Sequence, residues 1–498
     1  MQLLRYRFCP SVFVFLFLLF CSCKLPLAQE DAESSVDESY AGKERRDFYA
    51  INALSNAPYS VRGVHLAEND VCIVYGEYSA KVPLSTAEEI AREYAERIAP
   101  SITGVFGNYY PKNKKLIILL LDILDGYSKN DGTYVAGYFS VKDIFPKNLM
   151  SGSNEASNEE PMLYIDINPG KPGDDNFYPT IAHELQHLIN FSSRYEKSNP
   201  DLDSIKTQED IDQFIASVQQ DDWVDEGLSS AAEYIYSKAS GNGHIQDKIK
   251  YYNEAKNYYD KGQSNIARGN NFFTWGENDT FLYDDYATVY LFFQWLRIHA
   301  NGTSIYRAII ESEYTDYRAV TTAARQHIPG LFEEMDSTDD QSWEWERLLE
   351  TWLAANYINA PKKEDTGGLF GYNSEFTLSP VMLGGKNVSL YPGEGVYSEL
   401  EGELFSYPQS SPTHIRYAGL DGTENLINRI SQDISGRGNA LLTFNANSTV
   451  TRNKYGVPTN SELGTLTGIA SPERPAPGRT TGLPAKPLPI DIRPPLRF

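Results

Sequence analysis

Two histidines four residues apart, with a glutamate directly after the first, form His183-Glu184-Leu-Gln-His187. On a helix, side chains at i and i+4 stand one turn apart on one face, so both imidazoles can reach a single ion. Glu184 is one position further round. Its carboxylate is therefore angled to the side of such an ion and not at it, which is the placement of a base acting on water beside a metal. The chain has only seven histidines in 498 residues, so this pattern does not arise from a histidine-rich composition. The chemistry it points to is metal-assisted hydrolysis, with zinc as the expected ion.

A catalytic zinc site takes three protein ligands and keeps one position open. No histidine follows closely after His187; the next is His244. The segment Trp223-Val-Asp225-Glu226-Gly227-Leu-Ser229-Ser230-Ala-Ala-Glu233 offers Glu226, 39 residues after His187, as the third ligand. Ser229, Ser230 and Glu233 fall at i+3, i+4 and i+7 from Glu226 and share its face. Leu228, Ala231, Ala232 and Ile235 are left to bury the helix. A polar stripe on an otherwise apolar helix is expected to face the metal. Glu233 and Asp225 are candidates to hydrogen-bond a ligand histidine from behind. The competing reading of Glu226 is a carboxylate favoured by the helix N-terminus. Tyr286, Tyr283 and His244 are the candidate donors to a developing oxyanion.

These residues need helices to hold them and a sheet to hold the helices. Pro179 suits a helix start after Asp174, Asp175 and Asn176. Helices are expected over Thr180–Ser192, Trp223–Ser237, Asp284–His299 and Trp343–Tyr357, within a mainly helical stretch from Tyr178 to about Ala360. A further start at Ser85-Thr-Ala-Glu-Glu89 has the pattern of a capping box and runs towards Ala99-Pro100. Before the motif lie strand-like segments: the region from Val61 to Tyr78, the wholly apolar run inside Lys115–Asp122, and Met162–Ile167. Met162–Ile167 is also a candidate edge strand for pairing with an extended peptide. After residue 365, short β-like runs such as Val388–Tyr391 and Ala440–Phe444 indicate a small β-rich region over 366–450. Residues 471–498 contain eight prolines and read as an extended tail.

His-Glu-x-x-His followed by Trp-x-x-Glu-Gly-x-Ser resembles the gluzincin metallopeptidases, and more closely the hyicolysin family. The resemblance spans about residues 60 to 360. It takes in Ala136-Gly-Tyr-Phe139 with Asp143, the approach Asn158–Asp166, Phe191, and Tyr286 to Leu296. It implies an α+β fold with a thermolysin-like catalytic core: a mixed N-terminal sheet over 59–180 and a helical subdomain over 181–362. It also implies a zinc endopeptidase acting on protein or peptide substrates, with His183, His187 and Glu226 as ligands and Glu184 as the base. The β-rich region and the proline-rich tail lie outside it.

Composition narrows the partners. The apolar and aromatic fractions, 41% and 13%, are those of a globular chain. A formal charge of −23 argues against nucleic acid, whose phosphates need a basic face. It argues equally against a polybasic hold on anionic lipid. Arg5 and Arg7 precede an apolar run, Ser11 to Phe20, that is too short to span a bilayer and fits a secretory signal over residues 1–28. Two cleavage readings stand: before Cys23, which would then carry a lipid and be the one route to a membrane, or after Ala28. Residues 29–58 are expected to be a flexible tether. Cys72 is the one cysteine outside the signal and is expected to be a small buried apolar residue in a strand. A surface-anchored binding lipoprotein that keeps the peptidase fold only for its shape is the alternative to an enzyme. Calcium at Asp284 and Asp285 and the oligomeric state stay open.

Overall fold

A run that is apolar on both faces needs cover on both, and Leu116–Leu121 has it: all six side chains are buried. This strand, β4, lies inside a six-stranded sheet. The other members are β1 (Arg45–Asn52), β2 (Ala57–Glu68), β3 (Cys72–Glu77), β5 (Gly137–Phe139) and β6 (Met162–Asp166), in the order β1-β2-β3-β4-β6-β5. β3, β4 and β6 run parallel, and the remaining pairs are antiparallel. The computed structural model describes residues 40–448 except 128–133, 151–155, 175, 202–203, 242–245, 263, 265, 270–271, 274, 276–281, 333–341, 362–367, 383–388, 400–413, 421–426 and 430–439, together with 464–465. The signal, the Cys23 and Ala28 cleavage readings, residues 29–39 of the tether, His244 and the proline-rich tail fall outside the described residues.

The fold is a mixed α+β arrangement. Two of the sequence expectations change here. The tether does not reach residue 58, because Arg45–Asn52 pairs along its whole length with residues 57–64. Nor is Met162–Ile167 an edge. β6 is paired on both sides, with β4 and with β5, and all five of its residues are buried. Its apparent alternation comes from Tyr164 and Asp166, whose polar ends are held inside by hydrogen bonds. Cys72 opens β3 fully buried, and burial pushes its thiol up to about 12.

Tyr138 and Tyr164 stack at 4.2 Å between ring centroids on one face of the sheet. Their hydroxyls reach the strand at the opposite edge. Tyr138 Oη accepts from the Ile51 N–H at 2.7 Å, and Tyr164 Oη donates to the Tyr49 carbonyl at 2.9 Å. The sheet is therefore curled until its two ends meet around a core that includes Phe48, Val61, Ile117, Leu119, Val135 and Met162. Asn158 closes the seam. Its side-chain amide accepts from the Tyr49 N–H at 2.9 Å and donates to the Tyr49 carbonyl at 2.8 Å, as a neighbouring strand would. Buried Asp143 accepts from the Asn158 N–H and shares the single Tyr164 hydroxyl proton with the Tyr49 carbonyl, each of its own contacts at 2.6 Å, and burial raises its carboxyl to about 7.

The other face of the sheet carries the helices. α1 (Leu84–Glu93) and α2 (Ala99–Phe106) make the crossover from β3 to β4. They are one continuous rod, because a π turn over Tyr94–Ile98 joins them. Pro100 was expected to end the helix. The wider turn, in which the Ala99 N–H bonds Tyr94 O, instead accommodates a residue without an N–H. The expected capping box at Ser85 is not used either: Pro83 is the N-cap, with no side-chain bond. Then come α3 (Phe177–Ser198), α4 (Gln208–Val218), α5 (Asp222–Ser240), α6 (Gln246–Asn253), α7 (Ala255–Tyr259), α8 (Leu282–His299), α9 (Ser304–Ile310), α10 (Tyr317–His327) and α11 (Ser342–Ile358). α3 packs on β5, β6 and α5, and α5 packs on α8. After them β7 (Ser389–Leu390) precedes a four-stranded antiparallel sheet of β8 (Gly395–Glu399), β9 (Ile415–Leu420), β10 (Ile427–Arg429) and β11 (Ala440–Asn445). That sheet meets α11, where Tyr397 Oη donates to Leu353 O at 2.7 Å.

Asn158→Ala removes both bonds to the Tyr49 backbone and leaves those groups without their strand-like partner. The expected loss is about 2–3 kcal/mol of unfolding free energy, read from urea denaturation.

Candidate metal centre

The site is made by crossing two buried helices. α3 runs from Phe177 to Ser198, longer at both ends than the sequence suggested, and Ile181, Leu185 and Leu188 are fully buried. α5 starts at Asp222 and brings Glu226 into its second turn. Close approach at this point depends on Gly227: a Cβ there would sit 2.2 Å from Phe293 Cε2 on α8. Glycine next to Glu226 is therefore what lets α8 press α5 towards α3.

His183, His187 and Glu226 come together, with one ligand atom from each within 4.8 Å of the others. His183 Nε2 lies 3.2 Å from Glu226 Oε2, and His187 Nε2 lies 3.7 Å from the same oxygen. The His183 and Glu226 side chains are wholly enclosed, and that of His187 is 11% exposed. Both rings present Nε2, because their Nδ1 atoms are engaged elsewhere. His183 Nδ1 meets Glu233 Oε1 at 2.8 Å, and His187 Nδ1 meets Asp225 Oδ2 at 3.0 Å. Each Nδ1–H donates to a carboxylate, which leaves the Nε2 lone pairs aimed at the shared centre.

The residues fit a divalent ion. Nitrogen and oxygen ligands on a tetrahedral sphere of about 2.0–2.2 Å radius sit about 3.3–3.6 Å from one another. The distances of 3.2 and 3.7 Å bracket that spacing. His183 Nε2 is buried, with the Glu226 carboxylate 3.2 Å away as its near polar neighbour. Charge points the same way. Burial draws the His183 imidazole down, but Glu226, Glu233 and Glu184 outweigh it and carry its pKa up to about 10. At His187 burial again lowers, and Asp225 and Glu226 raise the value to about 9. The surroundings thus demand positive charge between the rings, from protons or from a cation. Two imidazoles, one carboxylate and an open fourth position are the donor set of catalytic zinc sites.

Glu184 is 2% exposed. Burial raises its pKa, and the neighbouring imidazoles pull it back. Tyr286, 1% exposed on α8, lies with its ring 6.3 Å from that of His183 and edge-on to Trp275 at 5.0 Å. Tyr283 packs instead against Tyr251, with centroids 4.6 Å apart. Asp284 is taken by Tyr251 Oη and Ser264 Oγ, at 2.6 and 2.8 Å. The polar stripe of α5 is not uniform. Ser229 turns its hydroxyl back to the carbonyls of Asp225 and Glu226, so it does not serve the centre as expected.

Two residues escaped the sequence reading. Asn190 is 3% exposed and donates to Asp225 Oδ1 and to Gln220 Oε1. It stands three residues after His187, and that spacing was its signal. Lys248 on α6 is 7% exposed and donates to Glu233 Oε2 at 2.5 Å. No sequence pattern links it to the motif.

The chain is 27% identical over 304 residues to the neutral metalloprotease ShpI of Staphylococcus hyicus. The match covers 59% of this chain and 57% of that protein, so the chain spans little more than half the length of this relative. No family model matches the chain.

Two outcomes follow from the geometry. Gly227→Ala overpacks the α5–α8 contact and is expected to cost about 1–3 kcal/mol, measured by urea unfolding of the metal-free protein. A zinc ion held by these residues would have to displace the protons that His183 and His187 favour. Affinity should therefore rise as pH rises towards 9, with about two protons released per ion near neutrality, read by calorimetry in buffers of different ionisation enthalpy.

Proposed function

We propose that this chain is an exported zinc-dependent endopeptidase that cleaves extracellular or periplasmic proteins. The observation that carries the reading is the meeting of His183 Nε2, His187 Nε2 and one carboxylate oxygen of Glu226 at a buried point, with the buried Glu184 electrostatically coupled to all three. The likeness to a neutral metalloprotease supports the same class. The curled mixed sheet followed by crossed helices is compatible with a thermolysin-like core, and the motif residues favour a hyicolysin-like peptidase within the gluzincins. Export rests on the N-terminal signal pattern.

His183, His187 and Glu226 would hold the ion. Bound zinc supplies Lewis acidity, which acidifies water and polarises a peptide carbonyl near neutral pH. The Glu184 carboxylate takes the proton from the attacking water and passes it to the leaving amine. Its enclosed position raises its pKa above the ordinary glutamate value, and the two imidazoles pull it back. Glu233 and Asp225 hold the Nδ1 protons of the two histidines and so fix which nitrogen faces the centre. Tyr286 is the nearest candidate among the tyrosines to donate to the developing oxyanion.

Glu184→Gln should keep zinc at one equivalent and lose at least about 100-fold in hydrolysis of casein or a peptide library. Cleavage at the wild-type rate would remove Glu184 as the base. Glu226→Gln should lower zinc occupancy, measured by atomic emission after dialysis against a weak chelator; unchanged zinc would remove Glu226 from the ligand set.

A further inference from the structure

A buried lysine needs a reason. Lys248 is the third residue of α6, and its ammonium lies against Glu233 Oε2 at 2.5 Å with the Tyr290 ring at 5.4 Å. The second oxygen of the same carboxylate holds His183 Nδ1 at 2.8 Å. Glu233 thus has its two oxygens divided between a cation on α6 and an imidazole on α3. The partner of His187, Asp225, accepts from the amide of Asn190 and also feels the charge of Arg194.

We propose that Lys248 is a positioning residue of the metal centre, acting through Glu233 to hold the His183 ring with Nε2 towards the ion. The proposal rests on His183 being a ligand. The argument is electrostatic and geometric. A carboxylate 4% exposed costs much free energy to keep charged unless a cation faces it. Without the ammonium on its other oxygen the carboxylate is free to swing out of line, and it then no longer accepts the Nδ1–H of His183. The ring is then free to rotate or to change tautomer, and either change withdraws the Nε2 lone pair. A lysine that served only to pin α6 to α5 would stabilise the fold and leave metal affinity alone. One that acts through Glu233 must alter affinity, and only while Glu233 is present.

The test is a double-mutant cycle on the full chain, stripped of metal, with zinc affinity read by competition against a chromogenic chelator. Thermal unfolding of each metal-free protein runs alongside. Lys248→Met should weaken zinc binding by about 10- to 100-fold, the usual effect of losing a group that orients a ligand. Lys248→Arg should stay close to wild type. In a Glu233→Gln background, Lys248→Met should add little further loss. Should Lys248→Met fail to fold, Lys248→Gln takes its place in the cycle. Wild-type affinity in a Lys248→Met or Lys248→Gln protein overturns the proposal, as does a full additional loss on top of Glu233→Gln. A lowered unfolding temperature with unchanged affinity marks a purely structural lysine and overturns it too. Absence of zinc binding by the wild type would instead sink the metal-centre reading, and this proposal with it.

Discussion

The structure depends on one electrostatic constraint: two imidazoles and several carboxylates are enclosed together where water cannot screen them. His183, Glu184, Glu226, Asp225 and Glu233 are all less than a tenth exposed. Such a cluster is costly unless positive charge sits within it. The Lys248 ammonium lies at one side and the imidazoles at the middle, where they are driven to hold protons. A divalent ion between the Nε2 atoms would satisfy the same demand and would leave each Nδ1–H to its own carboxylate.

That constraint explains the scaffold around it. The two helices that carry His183, His187 and Glu226 must cross closely and stay rigid for these side chains to meet. α3 is pinned by its apolar face against β5 and β6, and α5 is pressed onto it by α8 through the space left at Gly227. The sheet beneath is in turn locked by tyrosine and asparagine side chains that join its two ends.

Much of this was legible in the sequence, because it is local. The i, i+4 spacing of His183 and His187 forces both rings to one face of any helix. The Glu226–Glu233 stripe marks a helix that is polar where it should be apolar. The all-apolar run Leu116–Leu121 can only be an inner strand. What was not legible depends on contacts between distant segments or on special turns. Arg45–Asn52 carries charge and polar groups at its start and looked like a tether, yet its partner strand and the Asn158 amide hold it. Pro100 signals a helix end, and only the π turn before it shows otherwise. β6 alternates in sequence because Tyr164 and Asp166 are polar, although both are buried. Lys248 reaches Glu233 from a helix that shares no periodicity with it.

X-ray absorption at the zinc edge of the purified chain measures the central claim directly. The account predicts one zinc per chain, coordinated at about 2.0–2.1 Å by two imidazole nitrogens together with oxygen, the imidazole signal falling by half in His187→Ala. A spectrum with oxygen ligands alone, or one that His187→Ala leaves unchanged, would contradict it.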